Sequence, residues 1–318
     1  MRSRWALLAL VLGLLLVVCA VVALEVGIAE TSAQIIWNIR APRVVMALLV
    51  GSGLALAGVL MQGSLSNPLA DPGLVGVSAG AALGAVVAVG FGAAFNTPVT
   101  SIAACLGAAG ATAIVVAVSL HDRRPEVVTL LLAGVAVTAF AGAVLAVIVS
   151  LSTSAAARSI TFWSSGSLAL STWGAVWAVA PFVIVGAIVA ATTARSLDVL
   201  SLGDRGAISA GVDVAAVRYR ALAAVVLLVA AGVASVGVIA FVGLLIPHAM
   251  RMVVGPRHGR LLVLSALAGA LLILLADTLA RLVANPLEIP IGAITAVIGA
   301  PVFFLLLRRT RARQGGWA

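Results

Sequence analysis

The feature that most constrains this chain is a series of apolar runs, each about as long as a lipid bilayer is thick. A helix needs about 20 apolar residues to cross roughly 30 Å of hydrocarbon. Applied along the 318 residues, this rule predicts ten spans, at about 5–24, 41–62, 74–93, 99–119, 128–151, 172–192, 219–234, 236–253, 261–284 and 291–307. The first run is long enough to span and lacks a clean A-x-A site, so we interpret it as an uncleaved helix.

The seventh and eighth spans come from one nearly uninterrupted apolar run, 219–253. As a single straight helix it would measure about 50 Å, more than the bilayer accommodates. We therefore predict a break near Ser235 and Gly237.

The distribution of positive charge supports ten spans. All 19 basic residues are Arg, and with the N-terminus inside, ten spans leave only Arg40, Arg43, Arg158 and Arg281 on the outer side. Positive residues favour the cytoplasmic side of a membrane. A single span over 219–253 would instead turn the Arg-rich C-terminal tail outward. We predict an all-α polytopic membrane protein with both termini in the cytoplasm.

Composition excludes several classes of function. Only 9% of residues are charged and 63% are hydrophobic, whereas a soluble domain carries about 25% charged residues. This excludes a soluble enzyme, a nucleic-acid-binding domain and a disordered chain. The chain has no Lys, so it lacks the Walker A motif that ATP hydrolysis by that route requires. Cys19 and Cys105 lie in apolar runs, where we expect small buried side chains rather than a disulfide or a metal site.

Two charged residues fall inside the ninth span. Asp277 and Arg281 are four residues apart, so their side chains share a helix face and can pair. Ions within a membrane are costly and often functional. Two interpretations stay open here, a neutralised structural pair and an Arg281 that offers its guanidinium to a partner near the outer interface.

A G-x-S-x-G motif begins at Gly76. In a hydrolase it would mark a nucleophilic serine, here Ser78, and His248 would be the base available to an intramembrane protease. We favour a packing function, because Gly76, Gly80 and Gly84 form one helical stripe that suits close helix contacts in lipid.

The longest polar segment, about 195–218, is larger than a simple connection requires. Its apolar spacing predicts two short interfacial helices around Gly203 and Asp204. We interpret it as a docking surface for a cytoplasmic protein. The alternative is a segment that lies on the membrane surface.

Several longer motifs occur together along the chain: Arg40-Ala41-Pro42-Arg43, Gly58-Val59-Leu60-Met61-Gln62-Gly63, Asn67-Pro68-Leu69-Ala70-Asp71-Pro72-Gly73-Leu74-Val75-Gly76, Leu200-Ser201-Leu202-Gly203, Gly237-Val238-Ile239-Ala240-Phe241-Val242-Gly243-Leu244-Leu245-Ile246-Pro247-His248, Ala276-Asp277 and Glu288-Ile289-Pro290-Ile291-Gly292. With these motifs the chain resembles the FecCD/BtuC-like family, the permease subunits of ABC importers for iron-siderophores, haem and vitamin B12. The resemblance implies a single transmembrane permease domain over residues 1–318 with type II ABC importer architecture.

The resemblance also implies roles for individual residues. Arg40, Arg43 and Arg281 match arginines on which acidic side chains of a substrate-binding protein dock, a task that suits the planar guanidinium. Residues of the polar segment match the coupling helices that contact the ATPase subunit: Leu200, Ser201, Leu202, Gly203, Asp204, Ala207 and Gly211. The family pattern Ala-Arg-Ser reads Ala207-Ile208-Ser209 here, so the contacting chemistry differs. Family architecture places Gly134, Thr138 and Gly142 along the translocation pathway.

The implied partners are a second permease chain, identical or a close paralogue, two cytoplasmic ATP-binding subunits and an extracytoplasmic binding protein. ATP and Mg would be held by the ATPase subunits, and this chain would bind no cofactor or metal. We expect a location in the inner or plasma membrane of a bacterium. A ferric siderophore is the expected cargo, with haem or cobalamin as alternatives. A secondary transporter would need ionisable residues at mid-membrane, whereas the only acid inside a predicted span is Asp277, which lies near the end of its span with Arg281 as a partner.

Overall fold

The computed structural model describes residues 2–26, 32–94, 97–121, 124–283 and 289–313. Within these ranges the chain is a bundle of helices with one antiparallel pair of two-residue strands, β1 (Leu120–His121) and β2 (Arg124–Pro125). The helices are α1 (Arg2–Glu25), α2 (Ala33–Ser64), α3 (Val77–Gly90), α4 (Pro98–Ser119), α5 (Val127–Leu151), α6 (Ser154–Ser164), α7 (Trp173–Leu200), α8 (Asp204–Ser209), α9 (Val214–Val236), α10 (Val242–Val254), α11 (His258–Val283) and α12 (Ile291–Arg313).

Polar side chains fix where several helices begin. Thr97 forms a capping box with Thr100 at the start of α4, and the Thr172 hydroxyl accepts the Ala175 amide at the start of α7. The Asp213 carboxylate does the same for Ala216 at the start of α9. Such caps satisfy amides that have no partner inside the helix.

Seven helices are long and apolar enough to cross a membrane, namely α1, α2, α4, α5, α7, α9 and α11. Three shorter apolar helices, α3, α10 and α12, occupy the remaining predicted segments. The predicted all-α polytopic fold is therefore confirmed. The segment predicted over 74–93 is helical only over Val77–Gly90, preceded by a 3-10 turn, Pro72–Val75.

The break predicted in the run 219–253 falls at the end of α9. That helix ends at Val236, and Gly237 has φ of 76°, which glycine adopts without strain. The next helix begins at Val242 rather than at residue 236, because 237–241 is not helical and Phe241, directly before Val242, has a positive φ of 69°. With 13 residues, α10 is about 20 Å long and too short to span alone.

The polar segment differs from its prediction. Its first part, up to Leu200, is the last turns of α7, and 214–218 is the first turn of α9. The separate short helix is α8 alone, where two were predicted. The structure also contains α6, in a segment predicted as an outer connection.

The centre of the bundle is formed by α2 and α9. In each of them 78% of the residues in the most apolar stretch are buried. They contact each other, α7 and, from α2, also α10 and α11. In contrast, only 6% of the residues in the apolar stretch of α1 are buried, and α1 packs mainly on α11. Exposed apolar side chains cover α1 and α5, as expected of surfaces that face lipid.

Small residues allow the closest helix approaches. A Cβ at Gly58 of α2 would lie 1.8 Å from the Gly243 carbonyl oxygen of α10. Gly80 and Gly84 of the predicted stripe pack against the backbone of α4, whereas Gly76 lies before α3 with φ of 78°. These contacts bring backbones together as small residues do in lipid.

Candidate functional sites

One cluster of charge joins the ends of α1, α2 and α11. The Asp277 side chain is fully buried and accepts a hydrogen bond from Nε of Arg43 at 2.8 Å. Nε of Arg281, one turn along α11, lies 3.2 Å from the other carboxylate oxygen. The pairing of Asp277 with Arg281 predicted from their spacing is therefore confirmed. Arg43 is an additional partner.

Arg281 and a further arginine, Arg40, bind the last carbonyls of α1. Nη1 of Arg40 donates to the Leu24 and Glu25 carbonyls at 2.8 and 2.9 Å. Arg281 donates to the Ala23 and Val26 carbonyls, each at 3.2 Å. A helix C-terminus carries partial negative charge and carbonyls without intrahelical partners. The guanidinium groups satisfy both.

The arginines predicted to dock a binding protein are thus brought together in one cluster. Each already has partners within the chain, and little of each side chain is exposed: 5% for Arg40, 11% for Arg43 and 15% for Arg281. The cluster holds three helices together whatever else it binds. A docking role for these residues stays a prediction.

The predicted coupling residues form a compact turn between α7 and α9. Leu200 and Ala207 are fully buried and anchor the turn, while Leu202 is 72% exposed. Ser201, Gly203 and Gly211 are also exposed. Gly203 has φ of 88° and Gly211 φ of 79°, so both turns use backbone angles that disfavour a side chain. The result is an apolar side chain, Leu202, presented on a rigid loop.

A buried arginine fixes this turn to the body of the protein. Arg218 donates from Nε to the Ser64 carbonyl at 3.2 Å and from Nη2 to Asp204 at 3.0 Å. Asp204 is the first residue of α8, where a negative charge is favourable. Through this contact α8 is tied to the end of α2.

Beside the turn lies a cavity of about 200 Å³, lined by residues that include Gln62, Gly63, Ser201, Arg251 and His258. One Asp198 oxygen accepts from the His258 amide at 2.7 Å and pairs with its Nδ1 at 2.8 Å. Gln62 donates to the Leu244 carbonyl at 3.1 Å. Sequence analysis did not identify this site, because its residues come from four separate helices or their ends.

Asp71 caps the 3-10 turn that precedes α3. Its Oδ1 accepts the Gly73 amide at 2.8 Å. Burial raises the pKa of this carboxyl above its usual range, and the hydrogen bond from Gly73 offsets part of that rise.

The predicted pathway residues are four apart along one face of α5, and both Gly134 and Thr138 contact the 3-10 turn that precedes α3. Gly134 is buried against the 3-10 turn, since a Cβ there would lie 1.9 Å from the Leu74 carbonyl oxygen. Thr138 and Gly142 are exposed, with open space around Gly142. Whether any of the three lines a pathway stays a prediction.

The geometry gives no support to the protease alternative. His248 is buried against Phe303, and neither ring nitrogen has a hydrogen-bond partner among the described residues. No hydrogen bond therefore joins Ser78 to His248, as nucleophilic catalysis by this pair would require. No group of three or more His, Cys, Asp or Glu able to hold a metal occurs within the described ranges either.

The sequence matches the FecCD transport family over residues 5–309. It is 42% identical to the cobalamin import system permease protein BtuC of Halobacterium salinarum, over 91% of this chain and 78% of that protein. It is 37% identical to the hemin transport system permease protein HmuU of Yersinia pestis, over 96% and 98% of the two chains. The Fe(3+) dicitrate transport system permease protein FecD of Escherichia coli is 40% identical over 87% and 86%.

A solved structure described as an inward-facing conformation of a metal-chelate type ABC transporter has a TM-score of 0.87 to this chain. It is 34% identical and covers 95% of this chain and 98% of its own. The helical architecture is therefore shared over almost the whole length.

Proposed function

This chain belongs to the FecCD transport family and is a membrane permease of an ABC importer, and we propose that its cargo is an iron chelate of the ferric siderophore class. The family match over residues 5–309 supports the importer. The observation that carries the cargo proposal is the similarity to relatives named for ferric dicitrate and for iron(3+)-hydroxamate import. Relatives named for hemin and cobalamin keep haem and cobalamin as alternatives within the same architecture.

The proposed assembly is two permease chains, two cytoplasmic ATPase subunits and an extracytoplasmic binding protein. ATP and Mg would be bound by the ATPase subunits, because this chain has no Lys for a Walker A loop. We place the protein in the inner or plasma membrane of a bacterium with both termini in the cytoplasm. The excess of Arg in the segments assigned to that side supports this orientation.

The turn that carries Leu202 is the proposed contact with the ATPase subunit. Exposed apolar side chains on a rigid support are suited to insertion into a protein groove. The links from Arg218 to Ser64 and Asp204 would transmit a displacement of α8 to α2, which is central to the bundle.

The cluster of Arg40, Arg43 and Arg281 is the proposed docking site for carboxylates of the binding protein. Its support is charge, since Arg43 and Arg281 pair with Asp277 and Arg40 binds the end of α1 that Arg281 also binds, at the end assigned to the outer side. The exposed parts of Arg43 and Arg281 would make the contact. A pathway between two permease chains would use the exposed side of α5, near Thr138 and Gly142.

Reconstitution tests this function. The permease and its co-purified ATPase would be placed in proteoliposomes, with the binding protein loaded with ferric siderophore, haem or cobalamin. We expect ATP-dependent accumulation of the ferric siderophore. Accumulation of haem or cobalamin instead would change the cargo and keep the importer. Accumulation driven by an ion gradient without ATP would contradict the importer itself.

A further inference from the structure

The cavity beside the coupling turn contains polar atoms that the protein leaves unsatisfied. Nε and Nη2 of Arg251, Nε2 of His258 and Oε1 of Gln62 are buried and have no hydrogen-bond partner among the described residues. His258 is only 1% exposed and Gln62 only 2%. Buried polar atoms without partners are rare in folded proteins and costly. Four around one cavity of about 200 Å³ indicate an occupant.

The arrangement of donors defines the chemistry of that occupant. Nε and Nη2 form one edge of the guanidinium group, and this edge offers two parallel N–H donors. A carboxylate accepts from such an edge through both of its oxygens. Asp198, the nearby acid, uses one oxygen to accept from the amide and Nδ1 of His258 and makes no hydrogen bond to this edge of Arg251. The unsatisfied edge therefore suits an acid that comes from outside this chain.

The other walls of the cavity are rigid. Asp198 fixes the His258 ring, and the Leu244 carbonyl fixes the Gln62 amide by accepting from its nitrogen. Gly63 makes room for the ring, because a Cβ there would lie 2.5 Å from Nε2 of His258. These contacts hold His258 and Gln62 in place but leave Nε2 of His258 and Oε1 of Gln62 without partners among the described residues.

The location of the cavity selects the source of the acid. Ser201, which lines it, directly precedes the exposed Leu202 of the coupling turn. A protein docked on Leu202 would therefore cover the opening. We propose that the cavity receives an Asp or Glu side chain of the ATPase subunit, with its carboxylate paired to the Nε–Nη2 edge of Arg251. The inference depends on the proposed function, because it requires an ATPase at this turn.

The test uses the permease in nanodiscs and measures its affinity for the purified ATPase subunit. Arg251→Gln removes the charged edge. The matched control is Arg257→Gln, because Arg257 directly precedes His258 at the start of α11, is exposed and does not line the cavity. We expect Arg251→Gln to weaken association at least about tenfold. The control should change it less than about twofold.

The acid itself is located by replacing each surface Asp and Glu of the ATPase subunit with its amide, which leaves this chain intact. One such variant should weaken binding to the wild-type permease and have no further effect on Arg251→Gln, the signature of a coupled pair. This arm also covers the case in which Arg251→Gln folds poorly.

Two results would overturn the inference. Equal affinity of Arg251→Gln and the wild type would leave the cavity to water or an inorganic anion. Weaker binding without any coupled acid would reduce Arg251 to a structural residue. In both cases the wild-type permease still binds the ATPase. If it does not bind at all, the proposed function fails rather than this inference.

Discussion

Arg43 and Asp277 form an ion pair of 2.8 Å between residues 234 positions apart in the chain. The pair joins α2, at the centre of the bundle, to α11, on which α1 packs. The carboxylate is fully buried, so loss of its arginine partners would leave an unpaired charge in the interior, which is costly. This end of the bundle is thus organised around one acid.

Replacement of this acid should destabilise the protein strongly. In Asp277→Asn the guanidinium groups of Arg43 and Arg281 lose their carboxylate while they stay largely buried. Breaking a buried pair in this way costs about 3–5 kcal/mol. The measurement is the temperature at which detergent-solubilised protein loses its monodisperse elution peak. Glu126→Gln, at an exposed position, is the control and should match the wild type.

The docking proposal predicts a salt-dependent contact with the binding protein. Arg43→Glu would place two acids together and confuse docking with folding, so Arg43→Lys is the better variant, because it keeps charge beside Asp277 and loses the planar fork. We expect about tenfold weaker affinity for the binding protein, and wild-type affinity that decreases with added salt. Arg158→Lys, at an exposed position assigned to the same side, should have no effect. Equal affinities for the wild type and Arg43→Lys at low salt would leave the cluster as a structural element only.

The coupling turn should be sensitive to charge. Replacing Leu202 and Gly203 together with Asp removes an exposed apolar contact and forces a side chain onto a residue with φ of 88°. We expect loss of ATPase association without loss of membrane insertion, measured by pull-down from solubilised membranes. Ala94→Asp, in the exposed connection between α3 and α4, is the control. A stoichiometric pull-down by the double variant would show that the ATPase docks elsewhere.

Orientation can be tested with single cysteines in a background that lacks Cys19 and Cys105. Ala94→Cys and Arg257→Cys are both at exposed positions between helices. The ten-span topology puts residue 94 outside and residue 257 in the cytoplasm. A membrane-impermeant maleimide added to intact cells should therefore label only Ala94→Cys. Labelling of both variants from one side would contradict the topology.

The contact between Gly63 and His258 predicts a steric effect. In Gly63→Ala the added carbon would lie 2.5 Å from Nε2 of His258, whose ring is held by Asp198. Overpacking of this kind costs about 1–3 kcal/mol, so thermal stability should decrease. Gly110→Ala is the matched control, because no atom lies within 4 Å of its added carbon. Equal stability of the two variants would mean that the ring moves freely.

The sequence was sufficient for features that depend on short-range patterns. Apolar length predicted the long helices, and four-residue spacing predicted the pairing of Asp277 with Arg281. It could not predict Arg43 as a partner of Asp277, because nothing local links residues 234 apart.

Hydropathy also failed to predict where an apolar stretch of the chain stops being helical. Residues 237–241 are apolar yet not helical, and Gly237 and Phe241, at the two ends of this stretch, adopt positive φ. The polar cavity was missed for a similar reason. Gln62, Asp198, Arg251 and His258 are unremarkable singly, and only the packing of helix ends brings them together.

The capping of α1 has a consequence for how the protein is made. Arg40 follows α1 closely in the chain and can bind the Leu24 and Glu25 carbonyls as soon as α2 is inserted. Arg281 is 258 residues away from the Ala23 carbonyl that it binds, and α11 is the main surface on which α1 packs. The contacts of α1 with Arg281 can therefore form only after α11 has been synthesised, and until then Arg40 binds the last carbonyls of α1. The packing of α1 is thus completed by a helix far downstream in the sequence.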